Sequence, residues 1–158
     1  MDGVVLASHL AGEGHFRSSR YKVQAWTCTA DDDYWRGLAS VWDSDLAIIN
    51  IEHDVEVTDD DLSQLLDCPH GACSFMYPMH WACTGRFDDV WPARNDGLFV
   101  DEGTEWAEQC AIGCIKITAE ARIAPLEKAH WSRLEISVEN ATKRPVHLHW
   151  PGLKHHHW

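Results

Sequence analysis

The first half of the chain alternates between continuous apolar runs and segments that carry one apolar face. The continuous runs are typical of strands that are covered on both faces, as in parallel sheets. They are "GVVLASHL", "YKVQAW", "LAIINIE" and "CSFMY". Between the second and third runs, Trp35, Leu38, Ala39 and Trp42 recur at i, i+3, i+4 and i+7, which predicts a helix. Strands that alternate with helices predict an α/β sheet.

A second helix is predicted over "TDDDLSQLL", because Thr58 is a good N-cap and the aspartates after it suit the first turn of a helix. The second half of the chain is less regular. Pro125 predicts the start of a helix in "APLEKAH", "HWSRLEISVENA" fits either a helix or a strand, and "VHLHW" alternates as a strand does. The length of 158 residues favours a single domain.

The formal net charge of −12 narrows the range of partners. A chain this acidic has no global field that attracts nucleic acid or an anionic membrane, so an anionic substrate requires a local basic patch or a bound metal. No segment approaches the ~20 apolar residues of a membrane span, and the first residues lack the features of a signal peptide. We therefore expect a cytoplasmic protein that has neither a membrane nor nucleic acid as a favoured partner.

Two carboxylates follow the most apolar run, at the point where the predicted strand ends. Glu52 and Asp54 are two residues apart, so an extended backbone directs both side chains to one side. Ligands of open α/β sheets lie beyond the carboxyl ends of strands, and carboxylate pairs suit Mg²⁺ or Mn²⁺ bound to a diphosphate. The alternative is a solvated strand end in front of a capped helix.

Cysteine and histidine residues are grouped in two later segments. The segment "CPHGACSFMYPMHWAC" suggests zinc, but its spacing matches no standard finger, and buried thiols are the alternative. His147 and His149 lie on one face of a predicted strand, and His155, His156 and His157 follow a turn. One of these histidines could join Asp54 on a metal, whereas surface imidazoles, a histidine pair bonded to backbone or a tag remnant are the alternatives.

The segment "IEHDVEVTDDDLSQLLDCPHGACSFMYP" resembles small bacterial and phage glycosyltransferase-like proteins of the GT-A type, in which a strand ends in an acidic E-x-D or D-x-D motif. The resemblance also includes "HWSRLE" and the closing histidine-rich segment, and spans roughly Tyr34–Trp158. It implies a single-domain, GT-A-like Rossmann-type fold with a mostly parallel sheet flanked by helices. Residues 1–54 would form the nucleotide-binding part, and residues 55–158 the acceptor part with the histidine-rich end.

Carried over to this chain, the resemblance implies a metal centre. Glu52 and Asp54 would hold Mn²⁺ or Mg²⁺, with Zn²⁺ also open, together with the diphosphate of the donor. His155 or His157 would supply the C-terminal ligand. The first acid is Glu and the middle residue is His53, which departs from the commonest D-x-D pattern and bears on the strength of metal binding.

The resemblance further implies roles in nucleotide binding and catalysis. Ser8, His9 and Asp33 lie where the family binds the nucleotide, although helix capping also accounts for Asp33. Glu135 lies near the position where inverting members place the base that deprotonates the acceptor hydroxyl. The alternative for Glu135 is a capping box with Ser132.

The resulting hypothesis is a metal-dependent glycosyltransferase that uses a nucleotide-sugar donor and an unknown acceptor. A modified DNA base stays open as an acceptor, although the negative charge disfavours it. A second copy of the chain could supply the acceptor-binding region, because the chain is short for this family. Two alternatives stay open, namely a metal-dependent hydrolase of nucleotides or phosphoesters and a non-catalytic zinc-binding module.

Overall fold

The computed structural model describes residues 2–80 and 89–155. The helices are α1 (Asp33–Val41), α2 (Asp59–Asp67) and α3 (Leu134–Ala141). The strands of the first half are β1 (Gly3–Leu10), β2 (Val23–Cys28), β3 (Ala47–Ile51), β4 (Val55–Glu56), β5 (Ala72–Phe75) and β6 (Met79–His80). The strands of the second half are β7 (Asp89–Val90), β8 (Ala93–Asn95), β9 (Leu98–Phe99), β10 (Trp106–Ala107), β11 (Gln109–Cys110), β12 (Cys114–Ile117), β13 (Val146–His149) and β14 (Lys154–His155).

Seven strands form one mixed sheet in the order β10-β13-β5-β12-β3-β1-β2. Strands β1, β2, β3, β5 and β13 share one direction, whereas β12 and β10 run against them. The predicted α/β chain with a mostly parallel sheet is confirmed at this level. Three smaller ladders surround the sheet: β11-β8-β9, β14-β4 and β6-β7.

Helices cover both faces of the large sheet, as the continuous apolar strands predict. On one face, Leu62 and Leu65 of α2 belong to the same buried cluster as Ile49 and Ile51. On the other face, α1 and α3 pack in a second cluster that includes Ile48. All five residues of β3 are buried, because alternate side chains enter the two clusters. The core is therefore a sheet held between two helical layers.

The start of α2 follows the predicted capping chemistry. The Thr58 hydroxyl accepts the backbone N–H of Asp61 at 3.1 Å, and the Asp61 carboxylate accepts the backbone N–H of Thr58 at 2.9 Å. This reciprocal capping box satisfies two donors that the first helical turn leaves without a partner. The helix ends at Asp67, and its C-cap residue Cys68 lies directly before the turn into β5.

The prediction of a helix from Pro125 is wrong. Residues 124–130 are irregular, because the indole N–H groups of Trp35 in α1 and of Trp42 at its C-cap bind their backbone. Trp42 donates to the carbonyl of Ala124 at 2.9 Å, and Trp35 donates to the carbonyl of Leu126 at 3.3 Å. These bonds and the packing of Leu126 fix the segment across α1.

The ambiguous segment around Glu135 is helical, since α3 follows a short 3₁₀ turn at Trp131–Arg133. The capping box between Ser132 and Glu135 is not formed. His130 caps the 3₁₀ turn instead, because its ring Nδ1 accepts the backbone N–H of Ser132 at 3.1 Å. Glu135 is thus left outside the capping of its own helix.

Within residues 2–80 and 89–155, no helix has the length and apolar character needed to cross a membrane. The longest have nine residues, whereas a span requires about 20.

Candidate functional site

The sheet reverses its strand order at β1. The chain passes from β1 to β2 on one side and returns to place β3 on the other side, so that β1 lies between them. Open α/β sheets bind ligands in the crevice at the carboxyl ends of strands where the order reverses. A cavity of about 560 Å³ lies at this point, and we call it the strand-end pocket. Its volume falls within the roughly 300–1,000 Å³ of small-molecule sites.

The walls of the strand-end pocket come from the ends of several elements. Leu10 and Cys28 end β1 and β2, and Glu52 follows β3 directly. The opposite wall comes from the residues that lead into α3 and from its first turn, namely Trp131, Ser132, Leu134 and Glu135. The prediction that Glu52 and Asp54 lie at a ligand-binding edge of the sheet thus coincides with a cavity.

Glu52 is held in a setting that opposes its negative charge. Its backbone N–H donates to the carbonyl of Gly113 at 2.9 Å, which fixes the residue to the loop before β12. Burial raises the pKa of Glu52 to about 8, and the negative charges of Asp54 and Glu135 add to this effect. The carboxyl groups of Glu52, Asp54 and Glu135 therefore act on one another at the pocket, and a proton or a cation relieves their repulsion.

Asp54 and His155 are in contact although 101 positions separate them in the sequence. The short ladder between β14 and β4 pairs His155 with Val55 and so brings the imidazole to the end of β3. His155 Nε2 lies 2.9 Å from Asp54 Oδ2. Burial opposes the ionisation of Asp54, but the hydrogen bond and charge of His155, with the charge of His53, hold the Asp54 pKa below its ordinary value.

Asp54 and His155 could hold a divalent metal in place of the hydrogen bond that joins them. Two atoms at adjacent positions of an octahedral ion lie about 3 Å apart, since each bond is about 2.1 Å long. The 2.9 Å between Asp54 Oδ2 and His155 Nε2 matches this spacing. Asp54 Oδ1 is buried and has no hydrogen-bond partner among residues 2–80 and 89–155, so it offers a further ligand atom. His157 lies outside the described residues, and its predicted role as a ligand stays a prediction.

Glu135 lies at the rim of the strand-end pocket, on the first turn of α3. The pocket walls partly desolvate its carboxylate and so raise its pKa, although Arg94 and Arg144 favour the ionised form. A carboxylate with a raised pKa at the mouth of a cavity is suited to accept a proton from a bound hydroxyl.

The predicted nucleotide-binding residues do not line the strand-end pocket. The Ser8 hydroxyl is buried in the sheet and donates to the carbonyl of Ile51 at 3.5 Å. The ring of His9 lies 3.0 Å from the carbonyl of Leu10 and 3.1 Å from the hydroxyl of Thr27. Their predicted contact with a nucleotide stays a prediction, and the structure gives both side chains partners within the fold.

Asp33 supports the pocket indirectly. Its carboxylate accepts the backbone N–H groups of Thr29 and Ala30, each at 2.7 Å. These two residues form the loop after β2, and both line the pocket. Asp33 therefore positions a pocket loop. The N-cap residue of α1 is Asp32, so Asp33 does not have the capping role that the sequence offers as an alternative.

Two tyrosines and a histidine line the pocket without having been predicted as site residues. The Tyr34 hydroxyl lies 3.3 Å from His53 Nδ1, and the Tyr77 hydroxyl accepts the N–H of Gly113 at 3.1 Å. Burial raises the pKa of both tyrosines, so they stay neutral. Tyr77 is the last residue of the apolar run "CSFMY", and this position is the signal that could have found it, because it marks a second strand end at the same edge.

The histidines of β13 lie away from the strand-end pocket, in a cluster of their own. Cys68, Cys73, His147 and His149 offer four ligand atoms within 4.8 Å of one another. Burial, His147 and Lys116 lower the pKa of His149 to about 4, so its imidazole is neutral. This cluster could hold a metal ion, and we refer to it as the Cys/His cluster.

Comparison with known proteins defines the fold and leaves the activity open. No family model and no curated protein matches the chain. Among solved structures, the chain is similar to the one titled "Crystal Structure of A197 from STIV", a viral protein. The TM-score is 0.62 at 10% sequence identity, and the match covers 100% of this chain and 86% of that chain. At this identity the likeness concerns the fold alone.

Proposed function

We propose that the protein is a metal-dependent glycosyltransferase that moves a sugar from a nucleotide-sugar donor to an acceptor hydroxyl in the strand-end pocket. One observation carries the proposal: Asp54 and His155 form a pair with the spacing of metal ligands, at the carboxyl end of β3 and at the reversal of strand order. The GT-A-like character of the fold and the identity of the donor belong to the same proposal.

The donor diphosphate needs positive charge at this edge of the sheet. The chain carries a net charge of −12, and Asp54 and Glu135 place negative charge at the pocket, to which Glu52 adds once it loses its proton. Asp54 and His155 would hold Mn²⁺ or Mg²⁺, with Glu52 beside them. A divalent ion in such a site stabilises the charge that develops on a departing diphosphate.

Glu135 is the proposed base. It would accept the proton of the acceptor hydroxyl while the oxygen forms a bond to the anomeric carbon. The bond from that carbon to the diphosphate breaks at the same time, and the diphosphate leaves with the electron pair. The raised pKa of Glu135 brings its basicity closer to neutral pH. Trp131, a residue that is 60% exposed and lines the pocket, offers an aromatic surface for the acceptor.

Donor binding is tested by thermal denaturation across a panel of nucleotide sugars, with and without Mn²⁺. A ligand at 100 times its dissociation constant adds about 2.7 kcal/mol of stability, which gives a readily measured shift. We expect one donor to stabilise the wild type only when Mn²⁺ is present. Asp54→Asn should lose this shift, whereas Asp101→Asn, at an exposed position outside the pocket, should keep it. A shift that survives in Asp54→Asn, or no shift with any donor, would contradict the proposal.

Turnover is tested separately with Glu135→Gln. This variant should bind the donor as the wild type does, while release of the nucleoside diphosphate slows by about 10²- to 10⁴-fold, the usual contribution of a general base. Product analysis then distinguishes the two enzyme classes. Sugar found only as the free species, with every acceptor tried, would replace the transferase with a hydrolase.

A further inference from the structure

We propose that the Cys/His cluster is a structural zinc site with Cys68, Cys73, His147 and His149 as ligands. The site lies apart from the strand-end pocket and does not depend on the function proposed for that pocket. It would join α2 to two strands of the central sheet.

The fold brings the four ligands together from three elements. Cys68 is the C-cap residue of α2, and Cys73 lies five residues later in β5. Strand β13 pairs in parallel with β5 and places His147 opposite Cys73. His149 follows two residues after His147, so both imidazoles point to the same face of the sheet. Cys68 and Cys73 belong to the buried cluster beneath α2, which covers this face.

The distances fit tetrahedral zinc at two of the three measured pairs. Bonds of about 2.3 Å to sulfur and 2.0–2.1 Å to nitrogen place a sulfur and a nitrogen about 3.6 Å apart, and two nitrogens about 3.3 Å apart. Cys68 Sγ lies 3.5 Å from His147 Nδ1, which in turn lies 3.4 Å from His149 Nε2. The two sulfurs are 2.7 Å apart, so zinc would separate them by about 1 Å.

Charged residues next to the Cys/His cluster contact the proposed zinc ligands. Lys116 is fully buried opposite Cys73 on β12, and its ammonium donates to the carbonyl of Cys68 at 2.5 Å. His147 Nε2 faces Glu105 Oε1 at 3.7 Å, and histidine ligands commonly direct their second nitrogen to a carboxylate.

The ligand types select the metal. Two thiolates and two imidazoles form the tetrahedral set of structural zinc, whereas Mg²⁺ and Mn²⁺ prefer oxygen ligands. The ring of Trp106 packs on His147 with centroids 4.9 Å apart and helps to close the site to solvent. Four protein ligands leave no open position for a reacting group, so the site stabilises the fold and performs no chemistry.

The test begins with the metal content of the purified wild-type protein, measured by inductively coupled plasma mass spectrometry. We expect about one zinc per chain, as a four-ligand site requires. Replacement by Co²⁺ should give the visible bands of tetrahedral cobalt and a thiolate-to-cobalt charge-transfer band.

Cys73→Ser and His149→Ala should lose the metal. Cys114→Ser, which changes a buried thiol outside the cluster, should keep it. Asp54→Asn should also keep it, because it changes only the pocket.

The wild-type protein provides a second readout if the cluster variants do not fold. Chelation should expose the thiols of Cys68 and Cys73 to a thiol reagent, and added Zn²⁺ should protect them again. The proposal is overturned if reconstituted wild type holds no zinc, or if the cobalt spectrum lacks the thiolate band. It is also overturned if Cys68 and Cys73 form a disulfide in protein that is purified under reducing conditions.

Discussion

At the scale of single residues, the strand-end pocket shows that environment decides the chemistry of a carboxyl group. Burial and like charges raise the pKa of Glu52. At Asp54 burial also acts to raise the pKa, but the hydrogen bond and charge of His155 together with the charge of His53 outweigh it and lower the pKa. Groups whose pKa values are pushed apart in one pocket are suited to different tasks. Asp54 is thereby suited to bind a cation, and Glu52 holds a proton in the absence of one.

The raised pKa of Glu52 predicts a dependence of stability on pH. Between about pH 4.5, the ordinary value, and about pH 8, the folded protein binds a proton that the unfolded chain has released. The contribution of Glu52 to the free energy of unfolding therefore falls as pH rises through this window, by at most about 1.4 kcal/mol per pH unit. Urea denaturation without added Mn²⁺ should show a shallower fall for Glu52→Gln than for the wild type.

The matched control is Glu102→Gln, which changes an exposed carboxyl group in a turn. This variant should follow the wild-type curve. If Glu52→Gln and the wild type lose stability in parallel between pH 4.5 and 8, Glu52 does not carry the proton that its burial implies.

At the scale of elements, α1 approaches the sheet closely at a glycine. A Cβ atom at Gly37 would lie 2.9 Å from the nearest ring atom of Trp26. The indole is not free to move, because its N–H donates to the carbonyl of Asp33 at 2.8 Å. The glycine therefore allows the contact between α1 and β2 that supports one wall of the strand-end pocket.

Gly37→Ala should destabilise the protein although alanine is the better helix former. The propensity gain is about 1 kcal/mol, whereas overpacking against a fixed ring costs about 1–3 kcal/mol. Thermal or urea denaturation should show a net loss. Gly14→Ala is the control, since nothing lies within 4 Å of its added Cβ. An equal or higher stability for Gly37→Ala would mean that Trp26 shifts at little cost.

Local sequence patterns correctly predicted those helices and strands that are determined by residues close together in the sequence. The apolar run of β3 and the capping box at Thr58 are examples, because burial and capping depend on adjacent positions. The helix predicted from Pro125 failed because the indoles of Trp35 and Trp42, distant in sequence, bind that backbone. A local pattern carries no information about such bonds.

Local sequence patterns likewise predicted part of the strand-end pocket but not the Cys/His cluster. The strand-end argument placed Glu52 and Asp54 correctly at the edge where the pocket lies. The Cys/His cluster was not predicted, because cysteine spacing directs attention to nearby residues within one segment. The cluster instead depends on the pairing of β5 with β13, which sets Cys73 opposite His147. Parallel strands from distant parts of a chain leave no local signal of their register.

At the scale of the whole molecule, the C-terminal strands connect the two sites. His149 ends β13 in the Cys/His cluster, and His155 lies in β14 against Asp54. Strand β14 also pairs with β4 beside the pocket. Whatever holds β13 in place therefore also limits the movement of His155, so the proposed zinc would stabilise the pocket from a distance.

Removal of the proposed zinc should loosen one side of the molecule first. Hydrogen exchange should show that chelation lowers the protection of amides in β13 and β14. Amides shared by β1 and β2 should stay protected, because β3 and β12 separate this ladder from β5 and β13 in the sheet. Unchanged protection in β13, or equal loss throughout the sheet, would contradict this coupling. Added Zn²⁺ should restore the original pattern.

The position of β12 has a consequence for how the protein reaches its folded state. This strand lies between β3 and β5 in the sheet, although residues 76–113 separate it from β5 in the chain. Until it inserts, β3 and β5 each present an open backbone edge, and closing so long a loop slows that step. Open edges pair readily with other chains. Self-association therefore competes with correct folding, and the competition becomes stronger as protein concentration rises.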